Sequence, residues 1–227
     1  MRGYYADTLS GERLRRCYEL AHPRLRRYLE AEIEFVLTHL APTDRVLELG
    51  CGYGRVTVRL AEVAEQTVGI DNAADSIALA RRLHGRDPRC EFMTMDASDL
   101  TFEESEFDAV VCVQNGICAF GVDHRALLRQ ALRVTRPGGQ LLFSSYAAGF
   151  WDDRLRWFEA QAAEGLVGPI DHARTGAGRI VCEDGFCTGQ MTPDQFVSLC
   201  AGLGLVAEVS EVDGSSVFCR VVVPGSG

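Results

Sequence analysis

From about Ser10 to Leu40 the apolar residues recur at helical spacing, with Leu25, Tyr28, Leu29, Ile33, Val36, Leu37 and Leu40 on one stripe. Pro23 suits the first turn of the second of two helices. After Pro42 the rhythm changes, and short apolar runs alternate with helical ones. Arg45–Leu49, Thr67–Asp71, Glu91–Thr94, Asp108–Val113 and Gln140–Tyr146 read as strands, and Arg55–Val63, Asp75–Leu83 and Val122–Val134 as helices. Strand and helix in turn predict a parallel sheet covered on both faces.

The last third is less regular. Trp151–Glu164 has a helical pattern, and Thr192-Pro193-Asp194-Gln195 combines a capping box with proline at the first helical position, so a helix is expected to about Gly202. Leu205–Glu211 and Ser216–Val223 read as two closing strands. Between the helices, Asp184-Gly185 sits between Ile180-Val181-Cys182 and Phe186-Cys187, a hairpin signal. A hairpin inserted here is expected to hang over the carboxyl ends of the strands, the side on which open α/β sheets bind ligands.

Composition narrows the chemistry. The chain has 227 residues, 47% hydrophobic and 24% charged, enough to bury one sizeable core. All 23 basic residues are arginines, so chemistries that need a lysine, such as a Schiff base, a pyridoxal phosphate anchor or a Walker-A loop, are excluded. A net charge of −9 argues against a nucleic-acid or membrane partner and for a small molecule. The basic cluster Arg13, Arg15, Arg16, Arg24, Arg26 and Arg27 is interleaved with Glu12, Glu19 and Glu30 and reads as a solvated helical face. The nine cysteines are scattered, with no zinc spacing, and are read as reduced thiols; no metal site is expected. Without an apolar leader or a run of about 20 apolar residues, a cytoplasmic protein is expected.

The strongest local signal is Val46-Leu47-Glu48-Leu49-Gly50-Cys51-Gly52-Tyr53-Gly54-Arg55, a strand running into a glycine turn that opens a helix. A dinucleotide fingerprint wants Gly or Ala where Arg55 stands, and Glu48 is an awkward neighbour for a pyrophosphate. A carboxylate before the loop better suits a ligand whose near end is cationic. Asp71, followed by Asn72, ends the second strand at the distance where a carboxylate meets ribose hydroxyls, and Asp96-Ala97 ends the third, where an adenine edge could be read.

With these residues the chain resembles the class I S-adenosylmethionine-dependent methyltransferases of small-molecule type, over roughly Thr43 to Val223. The family's first motif resembles Glu48 to Gly54, its ribose acid Asp71, its adenine-contacting pair Asp96-Ala97, and its turn before the fifth strand Arg136-Pro137-Gly138-Gly139. The resemblance implies an α/β, Rossmann-like, seven-stranded, mostly parallel sheet with helices on both faces, the last strand antiparallel, an N-terminal helical arm and a β-hairpin insertion. It implies one domain over 1–227: an arm or lid at 1–41, a cofactor-binding core at 42–150, a helix plus hairpin over the acceptor site at 151–191, and closing elements at 192–227. It also implies S-adenosylmethionine as cofactor, held by Glu48, Gly50, Cys51, Gly52, Asp71, Asn72, Asp96, Ala97 and Gln114.

The expected reaction is in-line methyl transfer to a nitrogen, oxygen or sulfur of a small molecule, which requires alignment of the nucleophile and, at need, removal of its proton. Tyr5, Asn115 and His172 are the catalytic candidates, and Tyr4, Tyr18, Trp151 and Glu183 the acceptor-binding ones. Gln114-Asn115-Gly116-Ile117 lacks the Asn/Asp-Pro-Pro-Tyr pattern of methyltransferases acting on base or glutamine amines, which weighs against an RNA or protein acceptor. A nucleotide-binding module or NAD-dependent oxidoreductase is the remaining alternative. The chain is expected to be a monomer or homodimer.

Overall fold

The computed structural model describes residues 3–225, so the outermost two residues at each end of the expected 1–227 span lie outside it. Three helices come first: α1 (Tyr4–Asp7), α2 (Gly11–Glu19) and α3 (Pro23–Leu37). The strands β1 (Arg45–Leu49), β2 (Gln66–Asp71), β3 (Cys90–Thr94), β4 (Phe107–Cys112) and β5 (Thr135–Tyr146) then alternate with α4 (Thr57–Leu60), α5 (Ala74–His84), α6 (Gly116–Ala119) and α7 (His124–Val134). The chain closes with α8 (Trp151–Ala163), a hairpin of β6 (Ile180–Val181) and β7 (Cys187–Thr188), α9 (Pro193–Ala201), β8 (Glu208–Val212) and β9 (Ser216–Val222).

Seven strands form one sheet in the order β3-β2-β1-β4-β5-β9-β8. The first five are parallel, and β9 runs antiparallel between β5 and β8. The central strands are apolar on both faces because helices cover both. Val46 on β1 joins a cluster with Ile33, Val36, Leu60 and Phe218, while Leu47 and Leu49 join Ile117, Leu127, Leu128 and Phe196 on the other face. A third cluster lies off the sheet, where Leu25, Tyr28 and Leu29 of α3 meet Phe150, Trp157, Phe158 and Phe186.

The local signals act as their chemistry demands. Pro23 occupies the first turn of α3, and His22 caps it by accepting from the Leu25 N–H through Nδ1. Both halves of the Thr192–Gln195 capping box form. Asp184 organises the hairpin turn, accepting from the N–H groups of Phe186 (3.1 Å) and Gly168 (2.8 Å) and from the Tyr4 hydroxyl.

Three elements differ most from the sequence pattern in their bounds. The helix expected over Arg55–Val63 shrinks to α4, in a β-branched Val56-Thr57-Val58 run that crowds a helix. Strand β5 begins at Thr135 and absorbs the Pro-Gly-Gly turn, with a register shift against β4 between Phe107 and Ala109. The first closing strand begins only at Glu208, after an exposed Val206. Short helices α1 and α6 were not expected. The arginine cluster is largely exposed, as its pattern suggests, and two of its members also make tertiary contacts: Arg13 donates to the carbonyls of Gly165 (2.8 Å) and Leu166 (3.0 Å), and Arg24 pairs with Asp213 at 2.6 Å, tying α2 and α3 to the rest of the fold.

Candidate functional site

The carboxyl ends of β1 to β4 open into one cavity of about 1060 Å³, part of it continuous with solvent. The glycine loop forms its floor. Gly50 and Gly52 have φ of +74° and +54°, and a side chain at Gly50 would reach within 2.6 Å of the Phe120 ring, so the tight turn demands glycine there. Helices α1 and α2 and the link between them roof the cavity with Tyr5, Ala6, Leu9, Leu14 and Tyr18.

Three carboxylates converge on this space. Asp71 accepts from the Gly52 N–H (2.9 Å) and the Ala73 N–H (2.8 Å), which locks both oxygens in place and leaves further lone pairs free; burial nevertheless pushes its pKa up. Asp96 accepts from the Ser98 N–H (2.8 Å) and hydroxyl (2.7 Å) through one oxygen, an Asx turn that fixes the loop after β3. Glu48 is buried and accepts from the Thr57 hydroxyl at 2.5 Å; burial pushes its carboxyl up to about 7.

Gln114 occupies the far wall in the left-handed region, as does its neighbour Asn115, with φ of 57° and 62°. Two such residues in succession are strained for non-glycine side chains and persist only when held from outside. The Gln114 N–H is shared between a Glu32 carboxylate oxygen (2.6 Å) and the Ser144 hydroxyl (2.9 Å). Burial pushes Glu32 up to about 7. The Gln114 side-chain oxygen accepts from Arg55 at 2.5 Å, while its Nε2 is buried without a partner among the described residues.

Arg55 is the cation that the sequence pattern did not single out as a binding group. Its guanidinium lies 4.6 Å from the centroid of Tyr18, lines the cavity, and has no carboxylate within ion-pair distance among the described residues. Its place directly after the glycine turn was the available signal.

The cavity brings together Glu48, Gly50, Cys51, Gly52, Asp71, Asn72, Asp96, Ala97 and Gln114, with Tyr5 and Tyr18 from the roof. The other candidates lie elsewhere. Asn115 is buried with its amide fully engaged: Nδ2 donates to the Gly189 carbonyl (3.0 Å) and Oδ1 accepts from the Ser145 hydroxyl (2.7 Å), so it ties the hairpin to β5 rather than facing a ligand. Tyr4 is bound to Asp184, and Trp151 packs at the start of α8 beside Arg154. His172 and Glu183 are exposed loop residues away from the cavity.

Residues 46–139 match the family model of the methyltransferase domain. A demethylmenaquinone methyltransferase of Clavibacter sepedonicus is 32% identical over 108 residues, 46% of this chain and 42% of that protein. A ubiquinone biosynthesis O-methyltransferase of Xanthomonas oryzae is 33% identical over 104 residues, 44% of this chain and 42% of that protein. The chain thus spans less than half the length of these relatives. Among solved structures, an S-adenosylmethionine-dependent methyltransferase of Methanosarcina mazei superposes with a TM-score of 0.64 at 20% identity, covering 85% of this chain and 98% of that one. Residues 46–139 are thus similar to a methyltransferase domain, and the chain shares the fold of solved S-adenosylmethionine-dependent methyltransferases.

The chemistry of the cavity suits S-adenosylmethionine. Asp71 keeps lone pairs that could accept from two hydroxyls, and Ala73, Met95, Ala97 and Phe120 are apolar walls that a flat ring could pack against. An amino-acid tail carries one cation and one anion, and the cavity supplies the buried Glu48 and the guanidinium of Arg55, whose Nε has no partner among the described residues. Within the described residues no helix is long and apolar enough to cross a membrane.

Proposed function

We propose that this protein transfers the methyl group of S-adenosylmethionine to a nucleophilic atom of a small molecule by in-line displacement. The observation that carries the reading is the single cavity in which Glu48, Asp71 and Asp96 close three adjacent strands behind a glycine turn, with Arg55 opposite and no lysine in the chain. A carboxylate beneath the turn repels a pyrophosphate and attracts a sulfonium or ammonium. Bound S-adenosylmethionine supplies a methyl carbon already activated by its sulfonium, so the residues around it need to align and exclude water more than to perform acid–base chemistry.

On this reading Asp71 holds the ribose, the Asp96-Ala97 loop reads the adenine edge, Arg55 holds the tail carboxylate, and Glu48 lies nearest the cationic groups. Helices α1 and α2 act as a lid over the cofactor. Gln114, pinned by Glu32, Ser144 and Arg55, positions the end of the cavity where the acceptor arrives. The curated relatives named above, a quinone-pathway O-methyltransferase among them, act as support for a small-molecule acceptor. The test is acceptor-dependent formation of S-adenosylhomocysteine across panels of phenols, amines, thiols and carboxylates. Turnover with one panel is expected; a folded protein that binds neither S-adenosylmethionine nor its product contradicts the reading.

A further inference from the structure

A second, smaller chamber opens beyond Gln114. Its open space is about 390 Å³, against about 1060 Å³ for the first cavity, and the two share Tyr5, Leu9, Leu14, Tyr18 and Gln114. The aromatic rings of Tyr5, Tyr18, Tyr28, Tyr146, Trp157 and Phe158 line it. Neither a carboxylate nor a guanidinium belongs to its lining.

Three lining residues keep a buried polar atom with no hydrogen-bond partner among the described residues: the Tyr28 hydroxyl, Gln114 Nε2 and Gln161 Nε2. Two of these are N–H donors, and a buried donor left without an acceptor keeps its full desolvation penalty. Such groups point to a ligand oxygen, since sulfur is a weak acceptor and a protonated amine is none.

Aromatic boxes also recognise cations through their ring faces. Here two cations already lie over those faces. Arg55 sits 4.6 Å from the Tyr18 centroid, and Arg154 sits 4.3 Å from the Tyr146 centroid. Arg154 is fully buried and is held by the main-chain carbonyls of Gly178 and Gly189, each at 2.9 Å, with no carboxylate in ion-pair contact among the described residues. The nearby buried carboxyl, Glu32, is bound to the Gln114 N–H, and burial favours its neutral form. The field in the chamber therefore repels an ammonium and favours a phenolate.

We infer that this chamber is the methyl-acceptor subsite and that it takes a single-ring phenol or enol, with Gln114 Nε2, Gln161 Nε2 and the Tyr28 hydroxyl directed at its oxygens. The inference rests on the methyltransferase reading above. In the transfer, an oxygen lone pair of the acceptor forms the new C–O bond as the C–S bond breaks, and that bond's electron pair stays on sulfur. The hydroxyl proton goes to water, so that the product is a neutral ether, and before transfer the buried Arg154 guanidinium over the Tyr146 ring favours the ionised acceptor.

The test uses the full-length protein saturated with S-adenosylhomocysteine and titrated calorimetrically with catechol, 4-methylphenol and benzylamine, followed by turnover of each with S-adenosylmethionine. The phenols are expected to bind at least tenfold more tightly than benzylamine and to be methylated on oxygen. Tyr28→Phe and Gln161→Leu are each expected to raise the phenol KM threefold or more while leaving the S-adenosylhomocysteine Kd within twofold. Preference for benzylamine, or failure of the phenols to bind a protein that does bind S-adenosylhomocysteine, overturns the inference and leaves the methyltransferase reading intact. Failure of S-adenosylhomocysteine itself to bind overturns both.

Discussion

The cofactor cavity and the aromatic chamber meet at Gln114, yet they are built in opposite ways. The first is assembled from the carboxyl ends of neighbouring strands, so that each contributing segment is a short motif whose position follows from strand order. The second is assembled from side chains of α1 to α3 on one hand and of β5 and α8 on the other, more than a hundred residues away. One is polar, with three carboxylates and a guanidinium; the other is aromatic, with its charges behind the rings. On the proposed function, the contrast places recognition of a common ligand in the sheet and recognition of a variable one in the additions packed above it.

The contrast breaks first if the sheet-end residues do not govern cofactor affinity. Asp71→Asn keeps the shape but removes the charge from the ribose site, and a lost charge-assisted hydrogen bond of about 1.5–3 kcal/mol predicts at least a tenfold weaker S-adenosylhomocysteine Kd by calorimetry. An unchanged Kd would remove Asp71 from the site. Arg55→Met is expected to weaken the same Kd about tenfold; the sharper readout is that adenosine, which lacks the amino-acid tail, binds wild type and variant alike.

A smaller effect is expected from pH. Burial holds Glu48 at about 7, well above an ordinary glutamate, and a bound cation favours its ionised form. Cofactor affinity should therefore rise as pH climbs from 6 to 8, with proton release on binding near pH 6.5, read as a buffer-dependent calorimetric heat. The sign for stability is opposite. The unfolded glutamate ionises near the ordinary 4.5, so the free protein gains most from Glu48 below that pH and loses the gain as pH rises towards 7. Glu48→Gln should flatten both profiles.

The smallest functional effect is expected at Asn115. Its amide joins β5 to the hairpin, so Asn115→Ala should lower unfolding stability by about 1–3 kcal/mol in a denaturant titration while the S-adenosylhomocysteine Kd stays within twofold. A lost Kd with unaltered stability would return Asn115 to the ligand site.

What the amino-acid order reveals follows the same division. The alternation of strands and helices, the glycine turn and the acids at positions 48, 71 and 96 are local patterns, and each keeps its meaning whatever packs above the sheet. The short α4, the late start of β8 and the absorbed Pro-Gly-Gly turn depend on neighbours that a linear pattern does not contain. The chamber is harder still. Tyr28 and Trp157 fall on helical stripes like any core residue, and only the meeting of α3 with α8 turns their packing into a cavity wall. Asn115 misleads for the converse reason: a polar residue after β4 suggests a ligand contact, but its partners arrive from Ser145 and Gly189.

The most direct test of the central claim is isothermal titration of the full-length protein with S-adenosylhomocysteine, after confirming that none has copurified. The account predicts saturable binding at one site with a micromolar Kd. A folded protein with an empty cavity that gives no binding heat and no thermal stabilisation would contradict it.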